Sequence, residues 1–225
     1  MQLSRIALIS GTLSSVLFMS GCATESNRAV ETPQVQTATQ IYSGPKAVVA
    51  VGKFDNRSSY MRGIFSDGVD RLGSQAKTIL IAHLQQSGRF SVLDRENMEE
   101  IKREAGFAGQ EQKIKGAEFT VTGDVTEFGR KEVGDQQLFG IVGQGKQQVA
   151  YAKVSLYLVD VRTSEVITSV QGAGEYALSS REVLGFGGSA GYDSTLNGKV
   201  LDLAIRQAVE KLTASFDVGK WSQAK

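Results

Sequence analysis

Glycine is unevenly distributed along this chain of 225 residues, and its distribution limits how the chain can fold. Thirteen of the 25 glycines lie in segments 123–150 and 172–198, whereas the 21 residues between them contain none. That intervening stretch alternates apolar and polar residues, as SLYLVDV and VITSV around a polar turn, which is typical of a β-hairpin. Each glycine-rich segment is long enough for two strands of about 10 residues joined by a turn, the length that crosses an outer membrane. A pair of surface loops is the alternative interpretation.

Regular apolar spacing outside these segments predicts an α/β domain over residues 46–212. Apolar runs predict strands at 47–51, 90–93 and 119–128, and a hairpin over 154–170. Helical spacing predicts one helix that starts at Ser66 or Asp67 and ends at Gly88, a second over 96–105 capped by Asp94, and a third over 200–212. We therefore expect a compact core with a mixed sheet and packed helices. We expect the two glycine-rich segments to lie outside that core, and residues 213–225 to form a C-terminal tail.

The first 21 residues have the pattern of an export signal. Arg5 supplies a positive charge, an apolar stretch follows over 6–19, and the small residues Ser20 and Gly21 precede Cys22, the single cysteine. This arrangement resembles a bacterial lipobox, in which Cys22 is the lipid-attachment site and the mature N-terminus. The resemblance also implies the outer membrane as destination, because Ala23 rather than an aspartate follows the cysteine. Residues 23–45 are polar and aperiodic, and as a flexible linker they would span roughly 25–29 Å.

The composition argues against several classes of function. Lys and Arg number 25 against 24 Asp and Glu, so no charge excess favours nucleic acid as a partner. One histidine and one cysteine do not suffice for a Cys/His metal site, and His83 alone on a helix is typical of a packed residue. Gly185, Gly187 and Gly191 neither follow an apolar strand nor open a helix, so they do not indicate a dinucleotide site. We expect no catalytic residues, no metal and no cofactor.

Four passages resemble the CsgG family of outer-membrane lipoproteins, which export curli subunits. They are KAVVAVGKFDN, AKTILIAHLQQSGRFSVLDRENMEEIKRE, GAEFTVTGDVTEF and VSLYLVDVRTSEVITSV, in the family's order and spacing. The resemblance implies a periplasmic α/β domain that assembles into a homo-oligomeric ring. It also implies that segments 123–150 and 172–198 are β-hairpins that each subunit contributes to one shared transmembrane β-barrel.

The same resemblance implies a loop that narrows the channel after the first strand. The equivalent loop here is 55–68, and Tyr60 and Phe65 are its candidate constriction residues. Gly63, Asp67 and Gly68 stand where the family carries its constriction residues. Tyr60 and Phe65 are candidates because they lie nearby in the same loop, not because they match those positions.

Two functional hypotheses follow for a lipid-anchored outer-membrane protein whose domain faces the periplasm. The first is a subunit of an oligomeric channel that exports a curli-like or other unfolded surface protein. The second is a non-pore lipoprotein that docks on an envelope partner, either as an activator of the LpoB type or as an accessory in appendage assembly. The short linker argues against the LpoB type, because such an activator must reach an enzyme in the opposite membrane.

Overall fold

The computed structural model describes residues 42–60, 69–136, 144–182, 196–219 and 221. They all belong to one compact unit, residues 33–225. The predicted signal segment, Cys22 and nearly all of the predicted linker lie outside the described residues. So do Phe65 and residues 137–143 and 183–195 of the glycine-rich segments.

Five strands form one mixed sheet in the order β2-β1-β3-β4-β5, which confirms the predicted mixed α/β architecture. The strands are β1 (Ala47–Asn56), β2 (Phe90–Leu93), β3 (Phe119–Gln136), β4 (Gln144–Asp160) and β5 (Val166–Glu182); the helices are α1 (Arg71–Gln86), α2 (Met98–Phe107) and α3 (Leu196–Asp217). β1 pairs in parallel with β2 and β3, whereas β3, β4 and β5 are successively antiparallel.

The core lies between one face of the sheet and helices α1 and α3. Alternate strand residues point to the same face, so Val121, Leu156 and Leu158 are fully buried there. The two helices cover them with Leu80, Leu84, Leu201, Ile205 and Leu212, which are fully buried as well. Burial of each such side chain contributes about 1.5–3 kcal/mol. Helix α2, by contrast, has no buried residue and leaves Phe107 82% exposed.

The helix starts differ from those predicted. Asp70, rather than Ser66 or Asp67, is the N-cap of α1: its Oδ1 accepts a hydrogen bond from Gly73 N (2.8 Å), and its Oδ2 accepts one from Asn56 N (2.6 Å). Asp94 does not cap α2, because its carboxylate accepts from the backbone N–H groups of Glu96 and Asn97 and closes a turn just before the helix. Gly88 ends α1 as predicted, with a φ of 71° that glycine adopts without strain.

Residues 213–225 are not simply a tail. Helix α3 continues to Asp217, and Trp221 is buried with its ring stacked on that of Phe90 at 5.4 Å. Phe216 and Phe119 pack edge-on against the same indole. The predicted end of the third helix at residue 212 is therefore too early, since Phe216 lies four residues after Leu212 and continues the helical repeat.

The two glycine-rich segments contribute to the core, contrary to prediction. Residues 123–136 and 144–150 are the continuations of β3 and β4, and their buried side chains include Val125, Phe128 and Ala150. Residues 172–182 continue β5 as one strand and 196–198 are the first turn of α3. Residues 183–195 lie outside the described part of the chain, so the second hairpin stays a prediction. Of the described helices, none is both long and apolar enough to span a bilayer.

Candidate functional site

The three longest strands extend well past the rest of the sheet. β1 pairs with β3 only as far as Asn56 and Val125, whereas β3, β4 and β5 remain paired out to Gln136, Gln144 and Glu182. We call residues 126–136, 144–153 and 173–182 the ribbon. On its two outer sides, β3 and β5 have no partner strand among the residues that the structure describes.

At the base of the ribbon, next to Val125, the outer edge of β3 is covered by the residues that follow β1. The backbone N–H groups of Arg57 and Ser58 both donate to Val125 O, at 2.9 and 3.1 Å. Arg57 Nε also donates to Asp124 Oδ1 at 2.8 Å, and this hydrogen bond, with the charge of Asp124, raises the pKa of the Arg57 guanidinium. The chain leaving β1 thus occupies the edge of β3 at the base of the ribbon.

Helix α3 lies against β5 from Gln171 as far as Tyr176, whose ring centre is 5.2 Å from Lys199 Nζ. Lys211 Nζ donates to Gln171 O (2.7 Å), and Ala173 N donates to Gln207 Oε1 (2.9 Å). These contacts require the helix to lie almost on the strand: a Cβ at Gly172 would lie 2.6 Å from the backbone N of Ala208. Two glycines in β5 (Gly172 and Gly174) opposite two alanines four residues apart on α3 (Ala204 and Ala208) form this contact.

A cluster of polar and aromatic side chains joins the ribbon to the core. The Tyr60 ring lies 4.7 Å from that of Phe128, and Tyr60 Oη accepts a hydrogen bond from Asn197 Nδ2 at 3.2 Å. Asn197 Oδ1 in turn accepts one from Arg130 Nε at 2.8 Å. Tyr60 therefore connects the end of β1, the ribbon and the start of α3.

Of the residues predicted from sequence to act in function, Tyr60 alone lies among those described. Its side chain is engaged in the cluster at the ribbon base, and a role in a channel constriction stays a prediction, as does that of Phe65. Sequence analysis missed Arg130, Asn197, Gln207 and Lys211. The spacing of Gly172 and Gly174 against Ala204 and Ala208 was a usable signal, because small residues at helical spacing indicate close backbone approach.

A second concave surface lies at the opposite end of the sheet. A cavity of about 610 Å³ is lined by residues that include Lys46, Glu118, Asp160, Arg162, Phe216 and Trp221. Hydrogen bonds from the backbone N–H groups of Thr163 and Arg162 lower the pKa of the Asp160 carboxyl, so this acid stabilises the turn after β4. None of the site residues predicted from sequence lines this cavity.

The lone histidine is buried between two helices. His83 is 2% exposed, and its Nε2 lies 2.8 Å from Asp202 Oδ1 on α3. The described portion of the chain contains no group of three His, Cys, Asp or Glu side chains that could hold a metal ion.

Three solved structures show a partial likeness to this chain. The chain covers 99% of lipoprotein GNA1162 from Neisseria meningitidis with 77% of its own length, at 16% identity and a TM-score of 0.37. It covers 93% of a subunit of the PelC dodecamer from Paraburkholderia phytofirmans with 80% of its length, at 15% identity and a TM-score of 0.35. For the C-terminal domain of LpoB from Salmonella enterica the coverage is 85% of that chain and 58% of this one, at 15% identity and a TM-score of 0.31.

Sequence comparison gives a much stronger relation. The chain is 61% identical over 203 residues to "Putative lipoprotein NMB1126/NMB1164" of Neisseria meningitidis serogroup B (strain ATCC BAA-335 / MC58), covering 90% of this chain and 91% of that protein. The family model described as curli production assembly/transport component CsgG matches residues 29–224. With nearly the whole of the chain after its first 28 residues matched, this protein belongs to the CsgG family.

Proposed function

We propose that this protein is a lipid-anchored outer-membrane subunit of a homo-oligomeric assembly that exports an unfolded surface protein. The observation that carries the proposal is the ribbon, whose two outer edges are covered at the base and have no partner strand in the described residues beyond it. An uncovered strand edge is an aggregation hazard, and proteins normally block it or pair it. Pairing with other copies of the subunit uses both edges.

The family description, curli production assembly/transport component, supports the same proposal. So does the lipobox pattern that ends at Cys22, together with the lipoprotein name of the meningococcal relative. Export by such an assembly rests on diffusion through the ring, which needs no catalytic centre in the subunit.

The size of the detergent-extracted protein tests the proposal. A subunit of 24.2 kDa should migrate on a native gel as a large oligomer, and negative-stain images should show closed rings. A protein that stays monomeric after gentle extraction from its own membrane would contradict the proposal.

We further propose that Cys22 carries the anchoring lipid. Replacing Cys22 with serine removes the thiol that is acylated, so the variant should lose acyl labelling and leave the membrane fraction or remain an uncleaved precursor. Cys22→Ala serves as a second variant with the same expected result. Unchanged acyl labelling in both variants would show that the anchor lies elsewhere.

The second candidate, a non-pore lipoprotein that docks on an envelope partner, is favoured by the residue types in the outer ribbon. A membrane strand should carry apolar residues at alternate positions on its lipid-facing side. The five outermost rows of paired residues, with one residue from each of β3, β4 and β5, contain only two apolar residues larger than glycine, Val133 and Leu178. The rows are Glu132–Gln148–Leu178, Val133–Gln147–Ser179, Gly134–Lys146–Ser180, Asp135–Gly145–Arg181 and Gln136–Gln144–Glu182.

Cysteine labelling separates the two candidates. Single cysteines at each position from 176 to 181, in the acylated protein in whole cells, would be exposed to a membrane-impermeant thiol reagent. A channel whose ribbon crosses the bilayer predicts protection at every second position, since alternate residues of a strand share a face. Equal labelling at all six positions would contradict the channel and favour the docking lipoprotein; protein without an added cysteine is the control.

A further inference from the structure

The cavity at the end of the sheet opposite the ribbon has the size and lining of a small-ligand site. Its volume of about 610 Å³ falls within the range of roughly 300–1,000 Å³ that is typical of ligand pockets. Phe119, Phe216 and Trp221 supply its aromatic lining. The indole of Trp221 lies edge-on to the rings of Phe119 and Phe216, at 5.4 and 5.0 Å, so this apolar surface is formed before any ligand arrives.

Charged side chains of both signs line the same cavity, in an order set by the sheet. Lys46 immediately precedes β1, Glu118 immediately precedes β3, and Arg162 lies in the turn after β4. Glu118 N donates to Val48 O and Val161 N donates to Glu118 O, so Glu118 lies between the other two. Among the ion pairs of the described residues, none involves Lys46 or Glu118.

This combination disfavours ligands that carry charge of one sign. A fatty acid or a phosphorylated compound would meet the carboxylate of Glu118 and the buried carboxylate of Asp160. A quaternary ammonium ion would be attracted by the aromatic rings but would meet Lys46 and Arg162. A zwitterion with an apolar body finds an opposite charge for each of its own charges and an aromatic surface for its body.

We propose that this cavity binds a short free peptide with large apolar side chains. The terminal ammonium group pairs with Glu118, and the terminal carboxylate pairs with Arg162, whose planar guanidinium can donate two parallel hydrogen bonds to it. Lys46 adds a second positive charge, and the apolar side chains contact Phe216 and Trp221. The cavity is separate from the ribbon, so this inference does not depend on the assembly proposed above.

The single tryptophan of the chain reports on the cavity directly, because Trp221 lines it. The probe is leucyl-leucine, which carries both terminal charges and does not fluoresce. Added to the full-length acylated protein in phospholipid nanodiscs, it should change the emission of Trp221 in a saturable manner. Glycyl-glycine has the same charges without the apolar side chains and should bind at least about tenfold more weakly.

A capped peptide tests whether the terminal charges matter. N-acetyl-leucyl-leucine amide lacks both charges and resembles an internal stretch of an unfolded protein. It should bind roughly tenfold more weakly than leucyl-leucine, because it forms no charge-assisted hydrogen bonds. Equal binding of the two would overturn the proposal in favour of an apolar site for protein segments. No change of emission with any of these probes would also overturn it, with the chain's own flanking residues as the alternative occupant.

Two substitutions assign the charges within the cavity. Glu118→Gln should weaken the binding of leucyl-leucine and its amide, which both have the ammonium group, and leave N-acetyl-leucyl-leucine unaffected. Arg162→Gln should weaken leucyl-leucine and N-acetyl-leucyl-leucine and leave the amide unaffected. Arg103→Gln is the matched control, since Arg103 is exposed on α2 and is not among the residues that line the cavity. An equal loss for all three peptides in both cavity variants would indicate an altered cavity shape and would overturn the proposed charge contacts.

Discussion

At the residue scale, the turn between β4 and β5 shows how one carboxylate orders a tight connection. Asp160 is 3% exposed and accepts hydrogen bonds from Arg162 N at 2.7 Å and Thr163 N at 3.0 Å. Ser164 then adopts a φ of 61°, which costs energy for a residue other than glycine and is held by its own bond to Asp160 O. The polar run Arg162–Glu165 predicted the turn correctly. The role of Asp160 was not predictable, because it reads as the last residue of an alternating strand.

The first prediction concerns the pH dependence of this turn. The pKa of Asp160 is lowered on folding, mainly by the hydrogen bond from Thr163 N, so its contribution to stability is present above its unfolded pKa and is lost as pH falls through the folded pKa. Asp160→Asn should therefore melt at a lower temperature than the parent at pH 7, and the difference should shrink as the pH is lowered below 4. A difference that is constant from pH 7 to pH 3 would contradict the role of the ionised carboxylate.

At the scale of elements, strand lengths were underestimated wherever backbone pairing, rather than apolar burial, extends the strand. β3 was predicted to end at residue 128 but continues to Gln136, and β5 was predicted to end at 170 but continues to Glu182. Alternating apolar residues indicate a strand with one buried face, and the residues that extend these two strands show no regular alternation. Gly172 and Gly174 were expected to lie outside the core for the same reason, although they form the contact between β5 and α3.

The second prediction tests that contact. In Gly172→Ala the new methyl group would meet the backbone O of Ala204 and the backbone N of Ala208, so α3 must move away from β5. We expect a loss of about 1–3 kcal/mol in the free energy of unfolding, the usual cost of overpacking. Gly106→Ala is the matched control: nothing lies within 4 Å of a Cβ there, and alanine favours a helix, so stability should be equal or slightly higher. Urea unfolding of both variants measures the difference.

At the scale of the whole molecule, the chain divides into a core that folds by burial and a ribbon that extends from it. The apolar pattern was enough to predict which elements make the core, including β2 at 90–93 with its observed ends. It was not enough to place the boundary between core and ribbon. Burial ends within the ribbon itself, because Phe128 and Ala150 at its base are buried while Lys131 is exposed.

The last prediction locates this boundary. Lys131 and Val149 are directly paired, so an Asn-Gly turn can join them in place of residues 132–148. All described core residues remain in this shortened variant, and it should be soluble, monomeric and cooperatively folded. The control joins Thr122 and Tyr157, which are also directly paired, by the same turn in place of 123–156. It so deletes Val125, Phe128 and Ala150, among other core residues, whose combined burial of several kcal/mol approaches the whole stability of a domain. It should show no thermal transition. If calorimetry finds both variants equally well folded, the ribbon base is not part of the core.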